Sequence, residues 1–318
     1  MSEVKVSICV PTYNNPEDVS RLLESIARQT YKDYEVCISD DSTDDKIEKI
    51  VASYKGSMTV CYVHNKERLG HIFNWNAALK LGSGEYIKIM FSDDWFTFDD
   101  SLQKLVDMLD DNPDGDLAFS SSRQVVLNAE SASSLEHLSD KEQTGSYDRK
   151  VSSEYIDSLK KDYRYLFISN QIGAPSVTLY RRQKQLALFD PKSNWASDVF
   201  WYMEILSYNP KFVNSYEPLV SIGIHEDQYT ESFGIRDERI YQDYRYMYQK
   251  YGLDASEDCR RHFTKEYLVK WNKGIKECGE LNIPVGMFLN ARLSEYALSI
   301  KCFISSRLRI ANSHKKGN

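Results

Sequence analysis

Two adjacent aspartates stand between bulky aromatic residues in the segment FSDDWF, residues 91–96. Asp93 and Asp94 place two like charges in an apolar frame, and either they cap the helix that follows or they hold a cation that an anionic ligand also contacts. Asp99 and Asp100 lie nearer to the start of that helix, so capping is the weaker interpretation. Hard divalent cations such as Mg²⁺ and Mn²⁺ prefer carboxylate oxygens. The segment therefore predicts metal-assisted chemistry on an anionic substrate.

Two other polar segments also follow apolar runs and are candidates for the same site. One is PTYNN, residues 11–15, and the other is DDSTDD, residues 40–45. Asp40 and Asp41 in the second segment either cap a helix that begins near Ser42 or face a ligand. The choice depends on whether the fold brings the three segments together.

The first 110 residues alternate extended apolar runs with amphipathic segments. The predicted strands cover residues 5–11, 34–39, 58–64 and 84–91, and the predicted helices cover 16–29, 43–54, 71–81 and 99–110. Asn15 and Ser42 are the candidate N-caps of the first two helices. The first helix carries an apolar stripe at i, i+3, i+4 and i+7, formed by Val19, Leu22, Leu23 and Ile26.

Alternation of strands and helices at this spacing predicts right-handed βαβ units and an α/β fold with a mostly parallel, Rossmann-like sheet flanked by helices. In such sheets, ligands bind in the crevice at the carboxyl ends of the strands. The segments 11–15, 40–45 and 91–96 all follow predicted strands. We therefore expect three polar, mostly acidic loops to converge at one edge of the sheet.

The rest of the chain has a different composition. Residues 128–165 are polar and serine-rich and predict a long loop or insertion, whereas the chain from about residue 237 reads as mainly helical. We expect an α/β domain over residues 1–235 and a C-terminal helical region over 236–318. The segment 285–318 carries an apolar stripe and several basic residues, so it either packs onto the core or makes peripheral contact with a membrane.

Charge and composition exclude several classes of protein. The 318-residue chain has a net charge of −7, which gives no basic field for a nucleic acid partner. The N-terminus shows no signal-peptide pattern, and no run reaches the roughly 18 apolar residues of a membrane span. The first three of six cysteines, Cys9, Cys37 and Cys61, lie in apolar runs and predict buried reduced thiols. These features favour a cytoplasmic location.

Four segments in this order resemble the family 2 glycosyltransferases over roughly residues 4–230: VSICVPTYNN, YEVCISDDSTDD, GEYIKIMFSDDWF and NQIGAPSVTLYRR. Members of that family are inverting enzymes with the GT-A nucleotide-sugar-binding fold. The resemblance implies a nucleoside-diphosphate sugar donor, with UDP as the expected nucleotide, and Mg²⁺ or Mn²⁺ as cofactor. It also implies a saccharide or lipid-linked saccharide acceptor in the synthesis of a bacterial surface polysaccharide, such as a capsule, O-antigen or exopolysaccharide.

The resemblance assigns a nucleotide-binding role to residues of the first two loops. The PTYNN loop would cradle the base and ribose through Pro11, Thr12 and Tyr13. Asp41, with Asp40 beside it, would accept a hydrogen bond from the base. The resemblance further places Arg68 near the base or phosphate, although a plain surface charge is an equal alternative.

The same resemblance assigns the metal, the diphosphate and the base. Asp93 would contact ribose and metal and Asp94 the metal, with the direct ligand left open between them. His225 and Gln228 in GIHEDQYT would approach the metal or the diphosphate, unless His225 is only structural. Asp198 in ASDVFWYME matches the catalytic base, unless it is an ordinary N-cap.

Three positions depart from the family pattern and keep a rival interpretation open. Phe91 stands where a carboxylate is common, Ser197 replaces a glutamate, and Glu204 replaces an arginine. A non-catalytic nucleotide-sugar-binding module would keep Asp41 but tolerate loss of Asp198. A sugar-nucleotide pyrophosphorylase would need a glycine-rich loop with a basic residue after the first strand, and PTYNN has neither.

Overall fold

The computed structural model describes residues 4–127, 146–183, 185–225, 233–234 and 236–314. Contacts within the chain divide it into two compact units, Met1–Phe233 and Gly234–Asn318. The first unit contains the sheet and the second is helical.

Four parallel strands form one half of the sheet, as the sequence predicts. They lie in the order β3-β2-β1-β4, and all seven residues of β1 are buried. Their bounds are β1 Val6–Thr12, β2 Tyr34–Asp40, β3 Val60–His64 and β4 Tyr86–Ile89. The carboxyl ends of β1 and β2 are level, because Thr12 pairs with Asp40.

Five further strands extend the sheet with mixed polarity. Beyond β4 the order is β8-β6-β9-β5, with β7 paired to β6. The β6–β9 pair is parallel, whereas β4–β8, β6–β7, β6–β8 and β5–β9 are antiparallel. These strands are β5 Asp94–Phe96, β6 Leu117–Val126, β7 Tyr147–Arg149, β8 Thr178–Arg181 and β9 Phe212–Ile224.

Helices of the first unit bury apolar residues. The predicted stripe of α1 is buried in full: Val19, Leu22, Leu23 and Ile26. These helices are α1 Pro16–Ala27, α2 Lys46–Ser53, α3 His71–Leu81, α4 Ser101–Asp110, α5 Ser153–Lys161 and α6 Ser197–Tyr208.

One predicted helix cap is wrong, and the other lies at the N-cap position without a capping hydrogen bond. Helix α2 begins at Lys46, with Asp45 rather than Ser42 at the N-cap position. Asn15 does precede α1, but its side chain makes no capping hydrogen bond. Both side chains are engaged in bonds between loops instead, which compete with capping.

The prediction of a loop over residues 128–165 is corrected in its described part. Residues 147–149 form β7 and residues 153–161 form α5. Tyr155 and Leu159, one helical turn apart, are buried, and Ser152 caps α5 by accepting a hydrogen bond from the backbone N–H of Tyr155. The polar composition hid this short amphipathic pattern.

The second unit consists of helices, as the sequence predicts. They are α7 Glu238–Lys250, α8 Glu257–Phe263, α9 Ile275–Glu280 and α10 Val285–His314. Aromatic rings form its core, where Tyr248 and Phe263 stack with centroids 4.8 Å apart. Among the helices that the structure describes, none combines the length and apolarity required to cross a bilayer.

The thiol prediction holds for two of the three cysteines in the first strands. Cys9 and Cys37 are buried free thiols on adjacent strands, whereas Cys61 is exposed. Cys61 lies on β3, the edge strand of the sheet, where residues alternate between covered and open faces.

Candidate active site

The three predicted loops follow β1, β2 and β4, and the PTYNN loop after β1 contacts the other two. The backbone N–H of Asn14 donates to Ser42 Oγ at 2.8 Å, and its side-chain Oδ1 accepts from the backbone N–H of Thr43 at 2.9 Å. On the other side, Asn15 Nδ2 donates to Ser92 Oγ. The two asparagines thus hold the second and third loops against the first, and the expected convergence is confirmed.

The accessible part of the PTYNN loop is an aromatic ring. Pro11 and Thr12 are buried in β1, whereas Tyr13 is 39% exposed. The guanidinium carbon of Arg68 lies 4.2 Å from the centroid of the Tyr13 ring, a cation–π distance. A flat aromatic ring backed by a cation can stack on a nucleobase and attract a phosphate.

Asp40 is fully buried and its carboxylate is used within the protein. One oxygen accepts from the backbone N–H of Ser42 at 2.8 Å, and the other accepts from the hydroxyl of Tyr62 at 2.7 Å. Asp40 therefore shapes the second loop. It does not cap α2, which begins only at Lys46.

Asp41 anchors the loop that carries Arg68. Its carboxylate accepts from Asn65 Nδ2 at 2.8 Å and from the backbone N–H groups of Leu69 and Gly70 at 3.1 and 2.9 Å. Three of about four acceptor positions are thereby occupied. One lone pair remains for a ligand, and the side chain is 4% exposed.

Asp93 and His225 meet at the surface between β5 and β9. The distance from Asp93 Oδ2 to His225 Nε2 is 3.2 Å, and both side chains are about one quarter exposed. Gly223 permits this approach, because a Cβ atom at that position would lie 2.5 Å from the carbonyl oxygen of Asp93. Two residues more than 130 positions apart are thus brought together by the antiparallel β5–β9 pair.

Asp94 points away from this surface. It is 2% exposed and accepts from the Ser176 hydroxyl and the backbone N–H of Gly223. Burial, together with the charge of Asp93, raises the pKa of Asp94 well above its ordinary value. Burial lowers the pKa of the nearby Lys88 to about 7. Neither aspartate caps α4, whose N-cap position is Asp100.

The donor atoms at this surface fit a divalent cation that a ligand also coordinates. Within residues 4–127, 146–183, 185–225 and the described C-terminal part, no three His, Cys, Asp or Glu side chains cluster as a complete metal site. Mg²⁺ is often bound by one or two carboxylates plus substrate phosphates and water. Asp93 supplies one such carboxylate, with the His225 ring beside it, and Gln228 lies outside the described residues.

Asp198 belongs to a second cluster at the start of α6. It is the second residue of the helix, and Ala196 occupies the N-cap position. Asp198 Oδ2 accepts from Asn170 Nδ2 at 2.7 Å, and Oδ1 accepts from the backbone N–H of Val199 at 2.7 Å. Burial raises the pKa of Asp198 to about 6, against the opposing effect of its hydrogen bonds and of Arg149. Such a carboxylate is ionised at neutral pH and can accept a proton.

Two departures from the family pattern have structural explanations. The Ser197 side chain is buried, and its hydroxyl donates to the carbonyl oxygen of Asn194 at 3.0 Å. Phe91 packs against Trp75, with ring centroids 4.8 Å apart. Nothing in the structure explains Glu204.

The structure groups the predicted residues into separate clusters. Asp93 meets His225, Tyr13 meets Arg68, and Asp198 hydrogen-bonds neither Asp93 nor His225 in the described residues. The sequence predicts no role in the site for Asn14, Asn170 or Arg149, and it predicts Asn15 only as a helix cap. Asn170 stands first in the segment NQIGAP, and the paired asparagines stand in PTYNN, so the motifs contained the signal for all but Arg149.

A sheet of this topology with polar strand ends defines an α/β nucleotide-binding fold of the GT-A type. The glycosyl transferase family 2 model matches residues 7–186, which is more than half of the chain. The protein therefore belongs to glycosyl transferase family 2.

Curated relatives match over short stretches. WfaP of Escherichia coli, named UDP-Glc:alpha-D-GlcNAc-diphosphoundecaprenol beta-1,3-glucosyltransferase, is 36% identical over 91 residues, which cover 29% of this chain and 36% of that protein. Among the first curated relatives, the match covers between 14% and 42% of their length.

Solved structures show the same fold over most of the chain. TarS of S. aureus, in complex with UDP-GlcNAc, superposes with a TM-score of 0.60 at 19% identity, covering 90% of this chain and 79% of that one. The mannosyltransferase PcManGT of Pyrobaculum calidifontis, in complex with GDP-Man and Mn²⁺, superposes with a TM-score of 0.52 at 16% identity, covering 94% and 81%.

Proposed function

We propose that the protein is an inverting glycosyltransferase that moves a sugar from a nucleoside-diphosphate sugar to a hydroxyl group of a saccharide acceptor. One observation carries this proposal. The Asp93–His225 pair lies at the sheet edge where the PTYNN loop presents Tyr13 beside Arg68, so a metal-binding pair and a base-stacking surface share one edge.

Each cluster takes one part of the reaction. Tyr13 stacks on the base, Asp41 accepts its hydrogen bond, and Arg68 attracts the phosphates. Asp93 and His225 would hold Mg²⁺ or Mn²⁺, and the bound cation would supply Lewis-acid stabilisation of the leaving diphosphate. Of the two adjacent aspartates, we assign the metal to Asp93, because Asp94 is buried beneath it.

Asp198 acts as the base. It takes the proton of the acceptor hydroxyl while the oxygen of that group attacks the anomeric carbon opposite the leaving diphosphate, which inverts the configuration. A pKa of about 6 leaves the carboxylate ionised at neutral pH and still basic enough to accept the proton. A module that only binds nucleotide sugars has no need for a partly buried carboxylate with a raised pKa, and this favours the enzyme over that rival.

The nucleotide we propose is UDP, and the process is the synthesis of a bacterial surface polysaccharide. WfaP is named for a UDP-linked donor and a lipid-linked saccharide acceptor, and TarS binds UDP-GlcNAc. WfaP matches 91 residues of this chain, and TarS superposes on 90% of it. We propose a cytoplasmic location on this basis.

The donor proposal is tested by calorimetric titration with UDP, GDP and dTDP. We expect UDP to bind most tightly, and we expect binding to weaken by about tenfold or more when EDTA replaces Mn²⁺, because the cation links the diphosphate to Asp93. Tight binding of GDP or dTDP alone would change the proposed nucleotide but not the proposed donor site. Absence of binding by all three nucleotides would refute a donor site.

Helix α10 supports a second proposal, that the protein contacts the cytoplasmic membrane face where a lipid-linked acceptor resides. Its exposed apolar residues recur on one side: Leu289, Leu293, Tyr296 and Ile300. Residues 285–318 contain six Lys and Arg against one Glu, a local charge of +5 in a chain of net charge −7. An apolar stripe flanked by basic residues fits an anionic lipid surface.

Charge reversal on α10 is expected to weaken this contact. Each basic residue near an anionic surface contributes about 1 kcal/mol, so Lys301→Glu should reduce co-sedimentation with phosphatidylglycerol vesicles by about tenfold or more. Lys276→Glu on α9 is the matched control, because its side chain is 88% exposed and lies off the stripe. Equal partitioning of the wild type and both variants would refute the membrane contact.

A further inference from the structure

Asn170 holds the proposed base through an amide of fixed orientation. Its Oδ1 accepts from the backbone N–H of Gly173 at 3.2 Å, and its Nδ2 donates to Asp198 Oδ2 at 2.7 Å. A flipped amide would aim Nδ2 at an N–H donor and an oxygen at a carboxylate, so both contacts select the same orientation. Asn170 therefore presents a donor, and only a donor, to Asp198.

Hydrogen bonds from two elements hold the turn that carries Asn170. Arg149 of β7 donates from Nη2 to the carbonyl oxygen of Asn170 at 3.1 Å. Tyr202 of α6 donates from its hydroxyl to the carbonyl oxygen of Gly173 at 2.9 Å. Strand β7 and helix α6 thus both fix the position of the amide.

Gly173 makes room for the guanidinium. Its φ of +94° is disfavoured for residues with a side chain, and a Cβ atom here would lie 2.5 Å from Arg149 Nη1. The glycine therefore lets the positive charge of Arg149 approach the cluster, where it lowers the pKa of Asp198. The described hydrogen bonds of the Asp198 carboxylate come from Asn170, from the backbone N–H of Val199 and from its own backbone N–H, so Arg149 acts on Asp198 through its charge.

Both oxygens of the Asp198 carboxylate are consequently held. The first turn of α6 fixes Oδ1 through the N–H of Val199, and Asn170 fixes Oδ2. Each carboxylate oxygen has two acceptor positions, so one on Oδ2 remains for the proton of an acceptor hydroxyl. A base held in this way meets its substrate without losing rotamer freedom at the moment of reaction.

We propose that Asn170 is the positioning residue of the base, holding the Asp198 carboxylate in the orientation that receives the proton and stabilising its ionised form. The proposal rests on the proposed function in taking Asp198 as the base. The charged and titratable groups that face Asp198 are Arg149 from β7, Tyr155 from α5 and Tyr202 from α6. The two phenols stay neutral because burial raises their pKa. Arg149 and Asn170 are thus the groups that favour the anion from outside α6.

Two variants separate positioning from support of the fold. Asn170→Ala removes the donor to Asp198. Asn170→Asp keeps the shape and the acceptor for the Gly173 N–H, but it replaces the amide donor by a second carboxylate beside Asp198. Asn112→Ala is the matched control, because Asn112 is exposed and its side chain donates to the carbonyl oxygen of Met108 in α4 at 2.9 Å. A role limited to shaping the turn would leave the titration midpoint of Asp198 in Asn170→Ala equal to that of the wild type.

The primary measurement is an NMR titration of ¹³C-carboxyl-labelled aspartate, with the Asp198 signal assigned by its loss in Asp198→Asn. We expect Asn170→Ala to raise the midpoint of Asp198 by about one pH unit, a tenfold change, because a hydrogen bond to a charged group is lost. The control should leave the midpoint unchanged. An unchanged midpoint in Asn170→Ala would overturn the proposal.

A second measurement links the position of the base to rate. With UDP-glucose and UDP-N-acetylglucosamine as probes, both Asn170 variants should release UDP at least tenfold more slowly, with UDP affinity within about twofold of wild type. A parallel loss of UDP affinity and rate would instead mark a structural role. The NMR titration needs no turnover, so failure of the proposed function would not be mistaken for failure of this inference.

Discussion

Replacing Asp198 by asparagine is expected to lower the rate of UDP release from its sugar donor by about 10²–10⁴-fold, the usual contribution of a positioned general base. Affinity for UDP should stay within about twofold of wild type, because Asp198 makes no contact with Asp93 or His225 in the described residues. The measurement is steady-state UDP release, paired with calorimetric UDP binding on the same preparations.

The rate of the same reaction is expected to fall at low pH. Burial raises the pKa of Asp198 to about 6, and the base works only when ionised. The wild-type rate should therefore fall as the pH drops below about 6, and the residual rate of Asp198→Asn should lack this limb. Asp114→Asn is the control, since that side chain is 82% exposed. A full rate in Asp198→Asn would assign the base to another residue.

Replacing Asp93 by asparagine is expected to abolish the stimulation of UDP release by Mn²⁺. The lost ligand forfeits several kcal/mol of charge stabilisation at the leaving diphosphate, which corresponds to a loss of about 10²–10³-fold in kcat. Titration of UDP release against Mn²⁺ measures the effect. The Asp93 side chain reaches the surface beside His225, so this substitution should leave folding nearly intact.

Asp94→Asn is the matched comparison, one residue along the chain. Because Asp94 is 2% exposed and bonded to Ser176 and Gly223, its substitution should lower the free energy of unfolding by about 1–3 kcal/mol. In the fraction of Asp94→Asn that is folded, UDP release should still depend on Mn²⁺. If Asp94→Asn, and not Asp93→Asn, abolishes that dependence, the assignment of the metal ligand is wrong.

The first half of the sheet could be predicted because its signals are local. Strands β1 to β4 are apolar runs, and the helices between them carry buried stripes such as that of α1. The second half could not be predicted in the same way. Strand β5 has three residues, and its place is set by pairing with β9, more than 120 residues away in the chain. Such pairing depends on tertiary contacts that no short window contains.

The site residues likewise divide into those that local sequence indicates and those that depend on tertiary contacts. The sequence identified both aspartates of FSDDWF, but burial of Asp94 and exposure of Asp93 follow from the distant partner β9. Asn170 and Arg149 have no chemical signature of their own, and their relation to Asp198 exists only once β7 and α6 meet the turn between them. Ser42 and Asn15 were assigned to helix caps because capping is the commonest use of such residues next to helices.

The most direct test of the proposed activity is turnover of UDP-glucose and UDP-N-acetylglucosamine by the wild-type protein, with Mn²⁺ and with EDTA. The structure predicts that UDP is released from at least one of these donors with Mn²⁺, and that EDTA and Asp198→Asn each suppress the release. UDP binding without turnover of any nucleotide sugar, in the presence of Mn²⁺ and a saccharide acceptor, would contradict an enzyme and leave a nucleotide-sugar-binding module.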